Sequence, residues 1–191
     1  PTSTTGAILF STQAQTGSTL LWQISSGGLL TVTDRLLGTT WDCSSDSSSP
    51  QRCVFADQAG QVYTTALTAP AAPLLVSPTL PLARLDLAPN GLSLGLVLTD
   101  DLDIINLTEP AVAGGISGLG GLAELQWAPD SQHLAYITRT ETNANLYVFD
   151  VNGAGDPEQV AQGDWLGLAA WAPDSQHLAF AQRGLDHPNG G

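Results

Sequence analysis

The sequence predicts an all-β protein, a β-propeller of four-stranded blades with about four to five blade positions and incomplete terminal blades. Three observations predict it: an internal repeat, the same turn chemistry in successive units, and strands that are apolar on both faces. The repeat comes first. Trp127-Ala-Pro-Asp-Ser-Gln-His-Leu-Ala135 recurs letter for letter as Trp171 to Ala179, an offset of 44 residues, and an aromatic follows each copy, Tyr136 and Phe180. A weaker copy, Leu87-Ala-Pro-Asn-Gly-Leu-Ser-Leu-Gly-Leu96, places Ala88-Pro89 40 residues before Ala128-Pro129, with Leu87 in the Trp place. A fourth copy starts at Trp41 and resumes at Val54-Phe55. A period of about 40 to 44 residues suits one four-stranded blade.

The elements follow in order within each unit. A short apolar strand ends at the Trp position, and Ala-Pro-Asp-Ser or Ala-Pro-Asn-Gly follows it. Proline at the second turn position has φ already set, and Asp or Asn before Ser or Gly completes a type I turn. A second strand comes next, Leu134 to Thr138 or Leu178 to Gln182. The polar loop from Arg139 to Asn145 leads to a third strand, Leu146 to Val151, then the turn Asn152-Gly153, then a fourth strand near Glu158 to Ala161. In Leu146-Tyr147-Val148-Phe149 both alternating sets are hydrophobic. A sheet with one wet face would alternate with polar residues, whereas a blade is covered by neighbours on both faces.

This pattern resembles the TolB-type WD-like propeller repeat, over about residues 36 to 183, with Trp-x-Pro-Asp-x-x-x-Leu-Ala followed by an aromatic-rich strand and Asn-Gly. The resemblance implies a ring of four-stranded blades. Its members include periplasmic and surface interaction proteins, and gating domains of prolyl-oligopeptidase-type peptidases. The predicted organisation is one domain over residues 1–191: a partial blade at 6–33, blades at about 36–77, 82–112 and 122–161, a partial blade at 166–183, and a tail at 184–191. Gly6 to Ser11, Thr19 to Ile24 and Leu29 to Thr33 read as second, third and fourth strands, so the first unit lacks its opening strand. The ring closes at four or five blades, is an arc of a longer propeller, or is completed by another chain.

Composition narrows the partners. Eighteen acidic residues against five Arg and no Lys give a net charge of −13, through missing bases rather than extra acids. Nucleic acid and anionic membrane surfaces are excluded as expected partners, because both need Lys and Arg. No apolar run reaches 18 residues, so no membrane insertion is expected. The chain begins at Pro1 without a visible signal peptide and contains no Met, as a mature or excised piece would. Cys43 and Cys53 flank a Ser-rich stretch from Ser44 to Pro50. Buried thiols are one reading; a disulfide closing a long hairpin loop is the favoured one, and it places the protein in an extracellular or periplasmic compartment.

Several motifs carry less than their letters suggest. Gly118-Leu-Gly120-Gly-Leu-Ala123 matches a dinucleotide fingerprint, but a strand and Pro129 follow where a helix is needed. Gly115-Ile-Ser117-Gly118 misses a nucleophile elbow at Leu119. No catalytic residues and no cofactor are expected, and the chain reads as no enzyme. No metal is expected either; Asp150, Asn152 and Asp156 form a weak calcium candidate, defective at Ala154, and a plain hairpin turn accounts for them. Asp100, Asp101 and Asp103 read as a solvated turn, and His133 and His177 as exposed turn residues. Asn106-Leu-Thr108 is an N-glycosylation sequon at a strand end.

Taking Trp41, Leu87, Trp127 and Trp171 as the repeat core, residues one and three before each point into the central channel. These are Gly38 and Thr40, Arg84 and Asp86, Glu124 and Gln126, Leu168 and Ala170; Arg84, Asp86, Glu124 and Gln126 are the channel-lining candidates if the channel holds a ligand, against the plainer reading of a water-lined channel without one. The functional expectation is a non-catalytic extracytoplasmic scaffold that binds a protein partner or itself. Its alternatives are a homo-oligomer or filament built by blade completion, and a gating fragment of a peptidase.

Overall fold

The computed structural model describes residues 8–13, 19–24, 30–36, 40–44, 52–56, 61–66, 74–77, 84–109, 111–153 and 155–183. These residues form five antiparallel sheets in which sequence neighbours pair. The first holds β1 (Ile8–Gln13), β2 (Thr19–Ile24) and β3 (Leu30–Leu36). The second holds β4 (Thr40–Cys43), β5 (Arg52–Ala56), β6 (Val62–Ala66) and β7 (Leu74–Ser77). The third holds β8 (Arg84–Leu87), β9 (Ser93–Val97), β10 (Asp101–Asn106) and β11 (Ala111–Ser117). The fourth holds β12 (Leu122–Trp127), β13 (His133–Arg139), β14 (Ala144–Asp150) and β15 (Glu158–Gly163). The fifth pairs β16 (Trp165–Trp171) with β17 (Leu178–Arg183). Several sheets extend past the ranges read from the sequence, to Leu36, Ser117 and Gly163. Gly38 and the tail at 184–191 lie outside the described residues, as do the side chains of the first sheet and of Leu168.

The two-faced apolar strands explain the packing. In β13 every residue from Leu134 to Thr138 is buried. Leu134 and Tyr136 join Leu102, Ile104, Leu125, Trp127 and Phe149 in a core toward the third sheet. Ala135 and Ile137 join Ala144, Leu146 and Leu166 in another toward the fifth. Fully burying one such aliphatic side chain stabilises by about 1.5–3 kcal/mol. Sheet thus stacks on sheet, and the first strands β4, β8, β12 and β16 lie side by side.

The turns after these strands are bound to one another. Main-chain bonds Gly91 N to Ala88 O, Ser131 N to Ala128 O and Ser175 N to Ala172 O close three equivalent turns. Each places a residue at positive φ: Gly91 at 68°, Ser131 at 60° and Ser175 at 58°. The Gly in the Leu87 copy therefore marks the left-handed position. Each Ser also accepts a hydrogen bond from the preceding sheet's turn: Asn90 N–H donates to Ser131 Oγ at 3.0 Å, and Asp130 N–H donates to Ser175 Oγ at 2.9 Å.

The Cys unit sits in a different register from the one its letters suggest. Trp41 pairs with Phe55 and Cys43 with Cys53, whereas Trp127 pairs with Leu134 and Leu125 with Tyr136. Phe55 stacks on Tyr63 as Tyr136 stacks on Tyr147, which fixes the equivalence of the two units. Cys43 therefore holds the Trp127 place and Trp41 the Leu125 place. The shift is two residues, so the facing is unchanged. The two cysteines are bonded to each other across β4 and β5, with Cα atoms 4.1 Å apart.

Candidate functional site at the inner strands

Strand alternation builds the site. Leu85 and Leu87 of β8 and Leu125 and Trp127 of β12 are buried, so the intervening residues face the other way. Arg84, Asp86, Glu124 and Gln126 all line one cavity of about 320 Å³ beside the inner strands, with Leu125 and Tyr136 behind them. Arg84 holds Asp86 at 2.6 Å and donates to the carbonyl of Leu125 in the neighbouring sheet at 3.2 Å. Glu124 is held by Arg139 at 2.9 Å. Arg139 also donates to the Leu166 carbonyl and lies 5.7 Å from the Trp165 ring, while its buried Nε has no partner among the described residues. Gln126 is exposed.

The electrostatics are uneven. Burial pushes the Asp86 carboxyl up to about 6; Arg84 works against that rise and Asp42 adds to it. Asp42 is also raised, by burial, against hydrogen bonds from the Leu87 and Cys43 N–H groups and the charge of Arg84. Asp42 was missed by reasoning from Trp41, which put Thr40 and Gly38 in its place. Matching the Cys43–Cys53 pair to Trp127–Leu134 supplies the lost signal. Asp42 Oδ2 accepts from Leu87 N–H at 2.7 Å, which ties the second sheet to the third.

The repeat-core residues differ in burial. Trp127 is 6% exposed and Leu87 5%, but Trp171 and Trp41 are only half-buried. The cluster around Trp127 includes Phe149 of the third strand β14; among the described residues the Trp171 sheet has two strands and no such cover.

The remaining candidates resolve into turn chemistry. Asp150 Oδ1 accepts from Asn152 N–H at 2.9 Å, an Asx turn, and Asp156 is exposed. Among the described residues no group of three or more His, Cys, Asp or Glu side chains is arranged to hold a metal. His133 is not a free turn residue. It opens β13 half-buried, 2.7 Å from Asp130 Oδ2, with its ring 6.3 Å from that of Trp171 in the next sheet. His177 is exposed and pairs with Asp174 in the same way. Asp100 and Asp101 are also more than solvated: they accept from Gly120 N–H at 2.6 Å and Gly118 N–H at 3.3 Å, pinning the glycine loop. Gly121 in that loop has φ 102°, and a Cβ there would lie 2.6 Å from the Arg139 carbonyl oxygen, so only glycine fits. The sequon residue Asn106 is exposed at the end of β10.

No protein-family model matches the chain. No curated protein matches it either. Solved structures do. TolB from Acinetobacter baumannii matches with TM-score 0.58 at 15% identity, over 77% of this chain and 38% of that one. The putative TolB from Agrobacterium tumefaciens matches with TM-score 0.58 at 11% identity, over 82% of this chain and 61% of that one. Puromycin hydrolase matches with TM-score 0.62 at 15% identity, over 88% of this chain and 33% of that one. The chain thus spans less than two thirds of each. At these identities the likeness establishes the fold alone, and that fold is the TolB-type, WD-like β-propeller of four-stranded blades; among the described residues the first sheet here has three strands and the last has two.

Proposed function

We propose that this chain is a non-catalytic extracytoplasmic propeller that holds a protein partner at the inner-strand cavity. The observation that carries this reading is the convergence of Arg84, Asp86, Glu124 and Gln126 from two sheets on one open cavity. Concave sites with a few convergent polar groups on a rigid scaffold are where binding concentrates. The Cys43–Cys53 bond supports an oxidising compartment, extracellular or periplasmic. The net charge of −13 favours a partner with a basic surface. The test is site-specific photo-crosslinking in the native host. A crosslinker at Gln126 should capture a discrete partner, and one at Val160 on the outer strand should not. Capture at Val160 alone would overturn the cavity as the contact site.

A second reading is self-assembly into a homo-oligomer or filament. Its support is the edge of β17, which pairs with no strand among the described residues and carries Phe180 at 38% exposure. Such an edge is a template for strand addition. A third reading, a gating propeller of a peptidase, is supported by the likeness to puromycin hydrolase. The sequence flanking this chain in its gene decides that reading.

A further inference from the structure

We propose that Asn106 is the acceptor of an N-linked oligosaccharide. The inference rests on the extracytoplasmic reading, because lipid-linked sugar donors are used outside the cytosol. The letters Asn106-Leu107-Thr108 are the minimum that such a transfer requires. That pattern alone is common, and three structural observations single this copy out.

First, Asn106 and Thr108 are both exposed, while Leu107 between them is 3% exposed and anchored in the core. The buried residue holds the turn so that the reacting pair faces solvent. Second, Asn106 Oδ1 accepts both donors of Thr108, the N–H at 2.8 Å and the hydroxyl at 2.6 Å. Those bonds polarise the amide carbonyl and ease loss of a proton from its nitrogen. They also orient the amide, since Nδ2 makes no hydrogen bond with a described residue. Third, an apolar side chain lies beside the acceptor. Leu92 is 37% exposed, and its carbonyl accepts from Leu107 N–H at 2.8 Å. A sugar on Asn106 would cover it.

The step balances with one co-reactant, a polyprenyl-diphosphate-linked oligosaccharide. Nδ2 attacks the anomeric carbon and the bond from that carbon to the diphosphate oxygen breaks. A C–N bond forms, Nδ2 gives up one proton, and polyprenyl diphosphate leaves with the electron pair. Nothing is oxidised or reduced.

The test is secretion of the full chain from a eukaryotic cell, with intact mass measured before and after a peptide-N-glycosidase. The wild-type chain and Thr108→Ser should carry one glycan that the enzyme removes. Asn106→Gln and Thr108→Val should leave the cell at the unmodified mass. Thiol titration of the same samples separates the two readings. An unmodified wild-type chain whose Cys43 and Cys53 are bonded overturns the glycan site and leaves the extracytoplasmic reading standing. Free thiols without a glycan overturn both. A glycan that persists in Asn106→Gln places the modification elsewhere and also overturns the inference.

Discussion

The indole Nε1 of Trp127 donates a 3.0 Å hydrogen bond to the main-chain carbonyl of Asp86 in the preceding sheet. Trp171 repeats the bond one sheet later, to the carbonyl of Gln126 at 3.2 Å. At these two junctions the repeat-core Trp therefore fastens its sheet to the one before it, as well as packing into a core. Leu87 has no indole, and at that junction the Asp42 carboxylate accepts the Leu87 N–H instead. The junctions thus differ chemically, and the differences are measurable.

Trp127→Ala should destabilise the protein by about 3–5 kcal/mol, the range for truncating a buried aromatic. Trp127→Phe should cost roughly 1–3 kcal/mol, since it leaves the Asp86 carbonyl without its donor. Trp171→Ala should cost less than Trp127→Ala, because Trp171 is only half-buried. Urea midpoints at constant m-value measure all three. Equal losses for the two alanine variants would contradict the burial difference.

Asp86 sets a pH dependence whose sign is fixed. Its folded value, about 6, lies above the ordinary 3.8, so the folded state binds the proton more tightly. The resulting stability is fully present below about pH 3.8 and is lost as pH rises through about 6. Ionised Asp86 then weighs against folding by on the order of 2–3 kcal/mol at pH 8. Asp86→Asn should flatten the stability profile between pH 5 and pH 8. Urea unfolding of both chains at the two pH values checks it; a profile as steep in the variant as in the wild type would place the titration elsewhere.

The Cys43–Cys53 bond closes a segment of 10 residues. Its loss, in a Cys43→Ala/Cys53→Ala chain, should cost about 2–3 kcal/mol by the chain-entropy model. Thiol titration of the denatured, unreduced protein should find no free thiol.

Ser131→Ala should destabilise by about 1–2 kcal/mol, because it removes the acceptor for Asn90 N–H and keeps a side chain at φ 60°. Ser131→Gly loses the same bond but relieves the left-handed backbone, as Gly91 does at the equivalent turn. It should therefore be the milder variant. Thermal unfolding of the pair measures the order.

Phe180→Lys tests self-assembly. If the β17 edge recruits another chain, the wild type should scatter light as a larger species and the variant should be smaller, since a charge at an edge opposes pairing. A monodisperse monomer in both chains would remove the self-assembly reading.

Much of this protein was legible in its letters. The exact repeat at Trp127 and Trp171 fixed the period, and Ala-Pro-Asp-Ser fixed the turn. The doubly apolar strands called for sheets covered on both faces. Strand alternation about Trp127 and Leu87 also placed Arg84, Asp86, Glu124 and Gln126 on one side, where one cavity gathers them. These features are local, and a period of two or of about 40 residues survives in the sequence whatever the partner sheet does. Pairing between strands does not survive in that way. The Cys unit lost its marker because register is set by the partner strand, and only Phe55 against Tyr63 and Cys43 against Cys53 show the shift that makes Asp42 the counterpart of Asp86 and Gln126. The raised carboxyl of Asp86 and the half-burial of Trp171 likewise follow from packing between strands, and the bond from Asn90 N–H to Ser131 Oγ joins residues 41 apart in sequence. Burial and sheet-to-sheet hydrogen bonds are properties of packed neighbours, so only the tertiary structure decides them.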